Sequence, residues 1–120
     1  MKHAAISVLV FGFYLAGQGA ILLLAPNLLL GILGLPPTDE AWIRAVGVAL
    51  LVLSYYYMRT SLANNLAFFR WSVHGRSIQL LLIGGLVLSG SAPAILGAFA
   101  LFEFLSGVWT WLALRSAAES

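Results

Sequence analysis

The sequence has no cysteine and few charges of either sign: six lysines and arginines against four aspartates and glutamates, 8% of the chain in all. Without a thiol, disulfides, thiolate metal sites and cysteine nucleophiles are excluded. Soluble domains carry roughly 25% charged residues, so water is not the main solvent of this chain. A glycine-rich phosphate loop, a serine triad and a histidine–acid metal motif are also missing. The two histidines, His3 and His74, have no spacing that makes them joint ligands. A chain this apolar is a poor candidate for nucleic-acid binding, and no pattern in it names a cofactor.

What is present is hydrophobic: 62% of 120 residues. About 20 apolar helical residues cross a hydrocarbon core about 30 Å thick, and four such stretches use most of the chain. The expectation is an all-α integral membrane four-helix bundle forming one domain, with spans near residues 4–25, 40–58, 76–90 and 94–114. The start of the chain has the basic-then-apolar order of a signal peptide. Its apolar stretch runs on to Ala25 and further spans follow, so it reads as a retained first helix.

Pro26-Asn27 stops that helix, and Leu28–Leu35 is too short to cross a bilayer, so it reads as an interfacial segment. Thr38, Asp39 and Glu40 supply an N-cap and acidic first-turn residues for the second span. Trp42 at one end and Tyr55, Tyr56 and Tyr57 near the other suit an interfacial belt, with one of the three tyrosine rings forced inward. From Arg59 to Arg76, Leu62, Leu66, Phe69 and Val73 recur at helical spacing among polar residues, which predicts a second interfacial, amphipathic segment. Small-residue pairs at Ala16/Ala20, Ala45/Ala49, Gly85/Ser89 and Ala94/Ala98 predict close helix packing. Four spans put Lys2, Arg59, Arg70, Arg76 and Arg115 on one side and only Arg44 on the other, which places both termini in the cytoplasm.

Glu103 lies at the centre of the apolar run Ile95–Leu114. A carboxylate at mid-membrane is expensive and faces a bundle interior, a polar partner or a water-filled cavity. Ala100, Glu103, Gly107 and Thr110 share one helix face, where small residues leave room for a partner helix or a ligand. Tyr14 and Gln18 share a face of the first span at similar depth, and with Ser54 they complete a candidate ligand-binding cluster. Arg44 has two readings: an i,i+4 pair with Glu40, or an inward reach to Glu103 that sets helix registry. Arg59, Arg70, His74 and Arg76 form a basic rim suited to lipid headgroups.

Three functions fit this pattern. The first is binding of a lipophilic small molecule or lipid in a pocket around Glu103, with acid/base catalysis by Glu103 on such a molecule as a variant. The second is a proton- or cation-linked transporter or channel, which in so short a chain requires a homo-oligomer. The third is a structural or accessory membrane subunit.

The stretch from Pro26 through Arg76 combines the Leu-Gly-Leu-Pro-Pro turn at Leu33–Pro37, Trp42-Ile43-Arg44 with Gly47, the three tyrosines, and Phe68-Phe69-Arg70-Trp71 followed by Gly75-Arg76. In these elements the chain resembles a group of small, uncharacterised four-span bacterial membrane proteins. That resemblance implies the four-span topology and a bacterial inner membrane, with no activity to carry over. Small multidrug transporters are similar in length and carry one membrane glutamate, but in the first helix, where this chain has Tyr14 and Gln18. Haem-containing membrane epoxide isomerases share the gross plan, but no histidine lies within a span here. Both likenesses concern the fold alone.

Overall fold

A computed structural model describes residues 2–119, with side chains through Ser116. All the regular structure among these residues is helical: α1 His3–Leu24, α2 Pro26–Ile32, α3 Ala41–Leu62, α4 Leu66–Leu88 and α5 Ala94–Glu119. Three helices are long and apolar enough to cross a membrane: α1, α3 and residues Ala94–Ser116 of α5. The expected third span, which falls in α4, is not among them, because Arg70, His74, Arg76 and Gln79 lie within that helix.

Local chemistry sets the breaks. Pro26 opens α2 as an N-terminal residue, where its missing N–H costs nothing. Three helix ends then close by one device. Gly34 (φ 74°), Asn64 (φ 51°) and Gly90 (φ 81°) adopt the left-handed conformation. The residue after each donates back to a carbonyl five positions earlier: Leu35 to Leu30 at 2.8 Å, Asn65 to Thr60 at 3.0 Å and Ser91 to Leu86 at 2.8 Å. This Schellman arrangement satisfies the orphan carbonyls of a helix C-terminus, and glycine or asparagine tolerates the required φ best. Asn65 then caps α4, its side chain accepting from the Phe68 N–H at 3.1 Å.

The interfacial segment expected after the second span is therefore corrected. Asn64-Asn65 is a tight turn, so α3 runs on to Leu62 and α4 starts at Leu66, ten residues before the expected span. The short segment after α1 is present as α2. Thr38 accepts from the Glu40 N–H at 3.2 Å ahead of α3, and no acidic residue lies in that helix's first turn.

The chain divides into two compact units, Leu9–Arg59 and Met1–Val8 with Thr60–Ser120. In the first, α1 and α3 meet backbone to backbone at Gly19 and Gly47. A Cβ on Gly47 would stand 2.7 Å from the Gly19 carbonyl oxygen, and one on Gly19 would stand 2.8 Å from the Gly47 carbonyl oxygen. The expected small-residue pairs do not make this approach; Ala45, Ala49, Gly85, Ser89, Ala94 and Ala98 are all exposed. Around it Phe11, Leu15, Leu22, Ile43 and Tyr57 are buried. Tyr57 is the inward ring of the three tyrosines, edge-on to Phe11 at 5.1 Å between centroids, while Tyr55 and Tyr56 are exposed.

The second unit packs α4 against α5. Its buried set mixes Ala4, Ala5, Val8, Phe69 and Ala100 with Ser7, Ser61, Ser72, Arg76, Glu103 and Thr110. Large apolar side chains cover its exterior, Leu81 and Leu88 among them.

Candidate functional site

Arg76 sits midway along α4 and is only 2% exposed. On α4, Ser72, Arg76 and Gln79 recur at i, i+4 and i+7; on α5, Glu103, Ser106, Gly107 and Thr110 recur at i, i+3, i+4 and i+7. Each set lies on one face of its helix, and hydrogen bonds join the two faces.

A buried guanidinium requires acceptors for its donors. Arg76 Nε donates to the Ser72 carbonyl at 3.2 Å and Nη2 to Ser72 Oγ at 2.8 Å, both on its own helix. Across the interface Nη1 donates to Ser106 Oγ at 3.0 Å and Nη2 to Thr110 Oγ1 at 3.4 Å. All four acceptors are neutral oxygens. The hydroxyls that receive Arg76 are aimed by bonds of their own: Ser72 Oγ donates to the Phe69 carbonyl at 2.7 Å and Ser106 Oγ to the Glu103 carbonyl at 2.6 Å. Thr110 Oγ1 also meets Ser7 Oγ of α1 at 2.8 Å, and this threonine is fully buried. One turn along α5, Glu103 is 5% exposed and its Oε1 accepts from Gln79 Nε2 at 2.8 Å. Thr110, Ser106 and Glu103 thus form one polar stripe on α5, met by Ser7, Arg76 and Gln79.

Of the two occupants expected beside Gly107, a partner helix or a ligand, a partner helix is present: a Cβ on Gly107 would lie 3.6 Å from Cβ, Cδ and Nε of Arg76 on α4. Arg76 itself is removed from the basic rim. Its position in α4 turns it toward α5 rather than toward headgroups, a consequence of α4 starting at Leu66. Arg59, Arg70 and His74 are exposed.

The other expected ligand residues belong to the Leu9–Arg59 unit. Tyr14 stacks on Phe11 at 5.6 Å between centroids. Gln18 Oε1 is buried without a hydrogen-bond partner. The Ser54 hydroxyl is turned back onto its own helix, donating to the Leu51 carbonyl at 2.7 Å. Arg44 is exposed and donates to the Leu23 carbonyl, at the end of α1. That replaces the expected pair with Glu40, whose carboxylate accepts from the Trp42 indole N–H.

Ser7, Ser72, Gln79 and Ser106 were not anticipated as site residues. Ser72, Arg76 and Gln79 share a face only if one helix carries all three, and the signal for that helix was Asn64-Asn65 read as a stop followed by a cap. No protein family, curated protein or solved structure matches the chain.

Proposed function

We propose that the chain is a four-span protein of the bacterial inner membrane, both termini cytoplasmic, that binds a lipophilic small molecule or lipid through a polar group at the Arg76–Glu103 core. One observation carries this reading: facing sides of α4 and α5 bury a guanidinium and a carboxyl within one set of polar side chains. Ionisable groups inside spans are costly and mark functional sites by default, whereas helices lock together with neutral hydroxyls and amides alone. Ser106, Thr110 and Gln79 hold the two ionisable residues through rotatable groups that a ligand's own polar atoms can replace.

The four-span topology draws support from α4 itself. Ser72 and Arg76, which make its sequence polar, are buried, while Leu81, Leu82, Leu86 and Leu88 face outward. Its 23 residues extend about 34 Å, enough to cross a hydrocarbon core. With Arg76 counted as buried, Lys2, Arg59, Arg70 and Arg115 against Arg44 keep the orientation bias.

A structural or accessory role is the second reading, favoured by the packing of Arg76 over Gly107. Glu103→Gln separates the possibilities when organic-extractable molecules co-purifying with the protein are measured beside melting temperature and oligomeric state. Binding predicts loss of the co-purifying molecule with melting and assembly unchanged. Loss of melting temperature or assembly instead establishes the structural role. Loss of proton or cation flux from an intact homo-oligomer in vesicles establishes the transporter.

A further inference from the structure

A cleft of about 800 Å³ opens at one end of the Met1–Val8, Thr60–Ser120 unit, and three separated parts of the chain build it. Lys2 lies just ahead of α1 and His3 opens it, while Arg70 comes from the first turns of α4 and Arg115 from the end of α5. All four are exposed. No acidic residue lines the cleft among the described residues. Its walls also include Leu66 of α4 and Trp109, Trp111 and Leu112 of α5, and the Arg115 guanidinium lies 4.9 Å from the Trp111 ring centroid.

We infer that this cleft is a binding site for one membrane phospholipid with a net negative headgroup. Lys2, Arg70 and Arg115 bring positive charge from three separate parts of the chain to one cleft, which is the complement of a phosphodiester. Basic residues next to a membrane attract anionic lipid by about 1 kcal/mol each. The tryptophans and leucines supply an apolar wall for the first methylenes of the acyl chains, and tryptophan favours the headgroup boundary. A free phosphate satisfies the cations but leaves this wall in contact with water, so the occupant is a lipid. The site is separate from the Arg76–Glu103 core. Thr110, which bonds Ser7 and Arg76, lies between Trp109 and Trp111 in sequence, so the core holds α1, α4 and α5 together beside the cleft.

The test is native mass spectrometry of the full chain, delipidated and offered equimolar phosphatidylglycerol and phosphatidylcholine, with inorganic phosphate as a separate arm. The expected result is a preference of about tenfold for phosphatidylglycerol, lost in Lys2→Gln/Arg70→Gln. Both substitutions lie on exposed positions that make no buried bond, so folding is retained. Equal retention of the two lipids overturns the inference. So does displacement of phosphatidylglycerol by millimolar phosphate, which identifies a free-anion site. An equal loss in Arg59→Gln, whose residue does not line the cleft, shows diffuse surface charge and also overturns it. None of these outcomes depends on Glu103, so the core reading stands or falls separately.

Discussion

The two units hold their helices together by opposite means. In Leu9–Arg59 the contact is backbone on backbone: Gly19 and Gly47 let α1 and α3 approach until no side-chain atom fits between them. In the unit containing α4 and α5 the contact is polar: Arg76, Gln79 and Glu103 reach across and hydroxyls receive them. In lipid, apolar side chains gain little by leaving the solvent, so close van der Waals packing and interhelical hydrogen bonds are the two available forces. This chain uses one in each unit. Close packing needs nothing but small residues and is unforgiving of added volume. Polar bridging tolerates volume but requires each donor to find its acceptor.

Gly47→Ala gives the largest effect expected from this contrast. The new methyl group meets backbone atoms at 2.7 Å, and the two helices must separate, costing about 3 kcal/mol. Gly107→Ala, in the polar unit, meets Arg76 at an ordinary 3.6 Å and costs less than about 1 kcal/mol. Equal losses in detergent unfolding experiments break the contrast.

Arg76→Met comes next, at about 2 kcal/mol, because it removes four hydrogen bonds while keeping most of the side-chain volume. Thr110→Val removes the bonds to Ser7, Arg76 and the Ser106 carbonyl and costs about 1 kcal/mol. A double-mutant cycle between the two sharpens the comparison. The polar unit requires a coupling of at least about 0.5 kcal/mol, and strict additivity contradicts it.

Local effects, about 1 kcal/mol each, belong to Gly34→Ala and Gly90→Ala, which force a Cβ into the left-handed region. One lies in each unit, and their losses should match, since helix termination is a local matter indifferent to how a unit packs. A large difference between their melting shifts shows that tertiary contacts enter even here.

How far the sequence could be read follows the same division. The ends of α1, the existence of α2, the break at Gly90 and the start of α5 were all legible, because proline, glycine and hydropathy act within a few residues. The inward member of Tyr55–Tyr57 was foreseen as a necessity but not by number. Arg76 was misread: a charged residue flanked by Arg70 and His74 looks like a rim when its helix is taken to start there. With α4 beginning at Leu66, the same residue lies nearly three turns inside. Glu103 was recognisable as a buried polar residue, yet its partner Gln79 was not, since nothing local specifies which turn of α4 stands opposite it.

Composition and hydropathy therefore determined a helical protein with segments long and apolar enough to cross a membrane and one carboxyl within the last of them, because each of these depends on the solvent a stretch of chain prefers. Tertiary structure alone decided that Arg76 turns inward over Gly107, that Gly19 meets Gly47, and that Lys2, Arg70 and Arg115 line one cleft. Those facts depend on the register between segments distant along the chain, and register is set by side-chain volumes and donor–acceptor matches that no single segment contains.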